Sequence, residues 1–278
     1  MNQFLWRDML FLGVDVGGNS IKAGLVTKKG VLKKYFSIGS SKLKTKKEFL
    51  KGITEVIGKF DNFESAGICV PGTVSKGVVT FTPNIPLTGC NLRKELRFPK
   101  ASFANDADTF ALAVHRFGEG KGHKNIIGLT LGTGLGSGII LDGKLFSNNG
   151  APELGHTTIK FDSQKHSKCG NNGCLESFIG REGIGDMKSL GTSARRGEKK
   201  SMLRINEFGM YLGVGIRNFV NTFRPDIVVL GGNVCHEYPL FRKSMEDEAK
   251  KALFSVKVVP TKLEHAGIIG AASIAFYK

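Results

Sequence analysis

Residues 14–26 read VDVGGNSIKAGLV, and residues 129–141 read LTLGTGLGSGIIL. Each stretch runs apolar strand, glycine-rich turn, apolar strand with a late glycine, so that Gly17 pairs with Gly132 and Gly24 roughly with Gly138. A tight turn without β-carbons lets backbone N–H groups converge on phosphate oxygens. Found once, such a turn reads as an ordinary hairpin. Found twice with matched architecture, it reads as a duplication in which two related domains each present one phosphate loop. In the first loop Asp15 stands at a strand end suited to holding Mg²⁺ through water, with Gly17, Gly18, Asn19, Ser20 and Lys22 as phosphate donors. In the second, Gly132, Thr133 and Gly134 take that part, the Thr133 hydroxyl adding a donor.

Outward from these hairpins, strands alternate with helices, which gives an α/β fold. Leu10–Val16 with Ile21–Val26 and Ile126–Leu131 with Gly138–Leu141 form the hairpins. Ala66–Val70, Ala101–Ala104, Asp226–Leu230 and Val256–Pro260 are further strands. Lys46–Phe60 places Phe49, Ile53, Val56, Ile57 and Phe60 on one helical face, with Thr45 as N-cap. Thr109–Phe117, Met202–Phe223, Tyr238–Leu253 and Ala266–Phe276 are the other helices. Met187–Lys200, rich in Ser, Gly and charge, reads as a loop.

Composition narrows the function classes. At 278 residues, with 41% hydrophobic and 23% charged, the chain builds one large domain or two modest ones and is not disordered. Its net charge of +16 suits polyanions. The clusters at Lys42–Lys51 and Arg195–Lys200 read first as solvated surface, and no aromatic residues interleave with the second, so nucleic acid is not an expected partner. Five cysteines, an odd number, argue against a disulfide framework. The N-terminal apolar run lacks a basic leader and stops at Asp15, too short to span a bilayer. A cytoplasmic location and no membrane association are expected.

Two further clusters carry chemistry. Asn105-Asp106-Ala107-Asp108 falls at a strand-to-helix junction. Such residues cap helices, and a carboxylate there also serves as general base for an attacking hydroxyl. The pattern does not separate Asp106 from Asp108. Glu153-Leu154-Gly155-His156 is followed by a Cys-x4-Cys pair, Cys169 and Cys174, and then Glu176. With His156 upstream this is a Zn²⁺ half-site, for which His166 is the nearest fourth ligand.

Taken in order, DVGGNSIKAGLV, CVPGTV, TPNIPL, ANDAD, LTLGTGLGSGIILDGKL, PELGHT, CGNNGCLES, VVLGGNV and GIIGAA resemble the ROK family of bacterial sugar kinases and related repressors, in the hexokinase/actin-like superfamily. The resemblance covers about Leu12 to Phe276. It implies two ribonuclease-H-like, actin/hexokinase-type α/β domains around a ligand cleft. The small N-terminal domain is expected over 1–105 plus 264–278, and the large C-terminal domain over 106–263. It implies that Asp106 is the base, that Gly72, Asn84, Asn105, Glu153, His156 and Glu176 contact the sugar, and that Gly231-Gly232 is the adenosine-side loop. In relatives the histidine of the ExGH motif bonds the sugar through one ring nitrogen and Zn²⁺ through the other.

The implied activity is phosphorylation of a hexose by ATP with Mg²⁺, in a protein that is commonly a homodimer. Glucose leads the candidate sugars, with N-acetylhexosamines and fructose behind it and inorganic polyphosphate as a rival donor. The repressor branch carries an N-terminal helix-turn-helix, whereas 14 residues precede Asp15 here, so an enzyme is expected. Two departures stand out. Ser167 occupies the place of the first cysteine in the usual Cys-x-Cys-Gly-x-x-Gly-Cys pattern, which leaves His166, water or a metal-free arrangement to complete the Zn²⁺ site. Pro152 replaces the glycine usual before the ExGH glutamate.

Overall fold

Leu10–Val16 (β1) and Ser20–Thr27 (β2) pair antiparallel around a three-residue turn, with Val16 opposite Ile21 and Gly13 opposite Gly24. The structure, a computed structural model, describes residues 9–82, 84–98, 100–147, 150–167 and 169–276. The first eight residues, part of the N-terminal stretch read above, lie outside them. After the hairpin come Leu32–Gly39 (β3), Lys46–Ile57 (α1) and Ala66–Val70 (β4). A small sheet follows, of Thr73–Ser75 (β5), Val78–Phe81 (β6) and Cys90–Asn91 (β7). Leu92–Leu96 (α2), Ala101–Asn105 (β8) and Asp106–Phe117 (α3) complete the first run. The main sheet has the order β3-β2-β1-β4-β8.

The second run repeats the first. Ile126–Leu131 (β9) and Leu135–Leu141 (β10) form the other hairpin, with Leu131 opposite Leu135 and Gly128 opposite Gly138. Lys144–Leu145 (β11) adds to its edge. Four helices follow: Leu175–Ile179 (α4), Arg181–Ile184 (α5), Met187–Arg195 (α6) and Lys199–Phe223 (α7). Then come Ile227–Gly231 (β12), Tyr238–Ala249 (α8), Lys257–Pro260 (β13) and Ala266–Phe276 (α9). The sheet order is β11-β10-β9-β12-β13. Strand for strand, both sheets carry two antiparallel pairings on the hairpin side and two parallel pairings beyond it. Duplication, read from two glycine turns, extends to a whole five-stranded topology.

Two compact units result: Met1–Lys121 with Ser147–Ala151 and Leu263–Lys278, and Gly122–Phe146 with Pro152–Lys262. This differs from the expected division at residue 105. Helix α3 packs on α9, and a Cβ on Gly270 would come within 2.0 Å of the Thr109 carbonyl, so α3 stays with the first unit. The first core gathers Leu12, Val14, Ile21, Phe49, Ile53 and Ile68. The second gathers Ile127, Leu129, Phe208, Leu212, Val228 and Phe241.

Helix α1 forms where its spacing predicts and ends at Ile57, three residues before the expected Phe60. Thr45 accepts from the Glu48 N–H while Glu48 accepts from the Thr45 N–H, a reciprocal cap worth about 1 kcal/mol. Its face buries Phe49, Ile53 and Val56, each contributing about 1.5–3 kcal/mol. Met187–Lys200 departs from its loop reading, because α6 occupies most of it. Asp186 caps α6 by accepting from the backbone N–H and hydroxyl of Ser189 (3.0 and 2.6 Å), and Met187 and Gly191 turn inward. Among the described residues, no helix is long and apolar enough to cross a membrane.

Candidate active site

In the first unit the glycine turn is held from behind. The Gly17 N–H donates to the Ser20 carbonyl at 2.9 Å, and Ser40 donates its hydroxyl to the Gly17 carbonyl at 2.6 Å. Asn19 is exposed on this turn, and Lys22 lies opposite Asp15 across the hairpin. Asp15, the penultimate residue of β1, lies beside Cys69 of β4, whose thiol approaches the carboxylate at 3.6 Å. Burial pushes the Asp15 carboxyl above the ordinary carboxylate range, against the pull of the Lys22 charge and the Cys69 hydrogen bond. Burial also raises the Cys69 thiol well above its usual value, so it stays protonated and able to donate. A cavity of about 430 Å³ beside the turn is lined by Gly18, Asn19, Ser40, Lys44, Asn84 and Pro86.

The strand-to-helix junction caps its helix, as its sequence suggested. Asn105 caps α3, its side-chain oxygen accepting from the N–H groups of Ala107 (2.7 Å) and Asp108 (3.1 Å). Its amide nitrogen donates to the Gly72 carbonyl at 2.7 Å. One amide hydrogen of Asn105 remains for a ligand. Gly72 has φ +93°, and a Cβ there would meet the Phe81 carbonyl at 2.2 Å, so this carbonyl position requires glycine. Asp106 and Asp108 part company in exposure. Asp108 is 3% exposed inside α3, whereas Asp106 is half-buried in its first turn and accepts from the Ala107 N–H at 3.0 Å. Of the two, Asp106 is the more exposed residue.

In the second unit Glu176, at the start of α4, reaches the other glycine turn and accepts from the Leu135 N–H at 2.8 Å. A Cβ on Gly134 would fall 2.2 Å from that carboxylate. Gly132 and Thr133 are exposed, and a Cβ on Gly132 would meet open space. Gly231 ends β12 opposite Thr130, and Gly232, at φ +88°, packs its α-carbon against the Leu131 carbonyl. The two glycine motifs of this unit therefore meet at the C-terminal ends of the neighbouring strands β9 and β12. Buried Ser137 accepts from the Leu154 N–H at 3.0 Å and donates to the Pro152 carbonyl, fixing the backbone on either side of Glu153. Burial raises the Glu153 carboxyl; the His156 ring opposes this and the Glu176 charge adds to it. Glu153 lies 4.0 Å from His156 Nε2.

The other face of His156 meets sulfur. His156, Cys169 and Cys174 bring one donor atom each to within 4.8 Å of one another. The two Sγ atoms are 3.9 Å apart, close to the roughly 3.8 Å edge of a tetrahedron with Zn–S bonds of about 2.3 Å. Two thiols and an imidazole are a zinc donor set, so these residues fit the ion that the family resemblance implies. His166, expected as a donor, is outside this group. It is exposed, and its backbone bridges to Asn172 across the loop. Sequence reading also passed over Ser40, Cys69 and Ser137, which hold site residues in place. Ser137 carried a signal, a hydroxyl amid apolar strand residues, that burial now explains.

Comparison with known proteins agrees with the motif order. The sequence profile of the ROK family matches residues 11–277. A glucokinase of Thermotoga maritima is 30% identical over 95% of this chain and 96% of its own length. A xylose repressor of Bacillus subtilis is 29% identical over 95% of this chain and 76% of its own length. The crystal structure of a Streptomyces griseus ROK family glucokinase in complex with glucose and AMPPNP superposes with a TM-score of 0.83. It is 27% identical over 95% of this chain and 98% of that one.

Proposed function

The chain belongs to the ROK family, and from that premise we propose that it is a sugar kinase, moving the terminal phosphoryl group of ATP onto a hexose, glucose first. The observation that carries this reading is the half-buried Asp106 carboxylate at the first turn of α3, beside an Asn105 amide locked by three hydrogen bonds. A sugar hydroxyl is a weak nucleophile, and a carboxylate in reach of its proton makes it a competent one. The sugar oxygen bonds to the γ-phosphorus, the bond from that phosphorus to the ADP oxygen breaks, and the hydroxyl proton passes to Asp106.

The other residues position and neutralise. Gly72, Asn84, Asn105, Glu153, His156 and Glu176 are the residues assigned to orienting the sugar hydroxyls. The turns at Gly17-Gly18-Asn19 and Gly132-Thr133-Gly134 offer backbone N–H groups to the phosphates, with Lys22 adding charge. Gly231-Gly232 supports the adenosine side. Asp15 is the carboxylate suited to Mg²⁺, which when bound offsets charge on the transferring phosphoryl group. The His156–Cys169–Cys174 cluster would hold Zn²⁺ and orient His156.

The test is a turnover panel of glucose, N-acetylglucosamine, N-acetylmannosamine and fructose, each against ATP and polyphosphate. ATP-dependent turnover of at least one hexose, with glucose the fastest, is the expected outcome. Fastest turnover of another sugar, or with polyphosphate, corrects the substrate while keeping the class. Similarity to a xylose repressor supplies a second reading, a sugar-responsive regulator. Sugar binding with no phosphoryl transfer from either donor would favour it.

A further inference from the structure

Three donors leave a tetrahedral ion one short, and the chain itself supplies a candidate. Ser167 is buried, 7% exposed, although the residues of its loop on either side, His166 and Cys169, are exposed. Its Oγ lies 3.1 Å from Cys169 Sγ, 3.2 Å from Cys174 Sγ and 3.5 Å from His156 Nδ1. One atom is thus within hydrogen-bond range of all three donors, which is where the remaining vertex of a tetrahedron falls. An oxygen at about 2.0–2.2 Å from zinc sits about 3.5 Å from a thiolate sulfur in that geometry. The Ser167 edges are a few tenths of an ångström shorter, the length of hydroxyl–thiol hydrogen bonds.

We propose that Ser167 is the fourth donor of a zinc site completed by His156, Cys169 and Cys174, and that His166 takes no part. The exchange of a thiolate for a hydroxyl changes the site's character. Two thiolates balance the charge of Zn²⁺, where three would leave a net negative site. A hydroxyl is also the harder and weaker donor, so the ion is held less tightly and exchanges more readily than in a three-cysteine site. With Nδ1 on the metal, neutral His156 carries its proton on Nε2, the nitrogen facing Glu153. That last consequence rests on the sugar-kinase reading; the metal site does not, and its test reads metal alone.

Wild-type protein, Ser167→Ala, Ser167→Cys and His166→Ala are stripped of metal and titrated with Co²⁺ and, in competition with a chromophoric chelator, Zn²⁺. The wild type is expected to take up one ion per chain with the intense visible bands of four-coordinate Co²⁺. Ser167→Cys should tighten Zn²⁺ at least tenfold and raise the thiolate-to-cobalt absorption by about half, from two sulfurs to three. Ser167→Ala should shift the bands and weaken Zn²⁺ about tenfold or more, and His166→Ala should match the wild type within about twofold. The proposal is overturned if the wild type binds no ion, if Ser167→Ala retains wild-type bands and affinity, or if His166→Ala produces the loss. Should Ser167→Ala fail to fold, an unchanged sulfur absorption in Ser167→Cys overturns it alone.

Discussion

Asp15 shows a residue working against the stability of its own fold. Burial holds its carboxyl above the ordinary range, so the folded chain binds this proton more tightly than the unfolded one. The stabilisation from that proton is complete below the unfolded value of about 3.9 and is lost as pH rises through the folded value. At neutral pH, above the unfolded value, this group therefore costs the fold stability. Asp15→Asn should melt higher than wild type at pH 7–8, by about 2–4 °C per kcal/mol relieved, while losing most turnover. The gap should close as pH falls toward 4, and a melt series across that range checks both statements. The glycines of the second turn divide in a similar way. Gly132→Ala meets open space and should change stability by less than about 0.5 kcal/mol while raising KM for ATP. Gly134→Ala meets the Glu176 carboxylate and should cost about 1–3 kcal/mol and impair sugar binding. Denaturant titration with steady-state kinetics separates the two.

At the scale of elements, what could be read in the sequence depended on where the information lay. β1, β4 and β9 match their expected bounds residue for residue, because each is a mostly apolar, β-prone run that a glycine or proline turn ends. Helix α3 begins three residues before its expected start, since Asn105 rather than the apolar face sets its first turn. α6 was hidden: Ser189, Gly191, Thr192 and Ser193 lower its helical preference, and its cap at Asp186 and its anchor at Met187 matter only once a core is there to receive them. The hairpin of β5 and β6 did leave a trace in Lys76-Gly77, a two-residue turn with φ of 50° and 84°, the positive angles that such hairpins favour. Helix α9 was legible in extent but not in purpose. A Cβ on Gly67 would lie 1.7 Å from the Ala271 carbonyl, so the helix backbone rests directly on the sheet. Gly67→Ala sets backbone against backbone and should cost about 3 kcal/mol or more, read as a lowered denaturation midpoint.

Over the whole molecule, the repeat is the deepest feature. Two glycine turns announced it, yet a turn says nothing of what lies four strands away. The matched orders β3-β2-β1-β4-β8 and β11-β10-β9-β12-β13 were out of reach of local patterning, because strand order is set by which apolar faces share a core. The site followed the same division. Asp15, Gly17 and Glu153 could be named from motif order, whereas the contacts that hold them in place, from Cys69, Ser40 and Ser137 respectively, join segments apart in sequence and could not be. Ser167 lay in plain view as a departure, and only the meeting of three donors around its hydroxyl gave it a part.

The central claim is that the Asp106 carboxylate takes the proton of the attacking hydroxyl. Asp106→Asn keeps the shape of the side chain and removes its basicity. With the hexose that the wild type turns over fastest, kcat should fall by about 10²–10⁴-fold, while calorimetry finds sugar affinity within about threefold of wild type. Turnover within tenfold of the wild type in that variant would contradict the account.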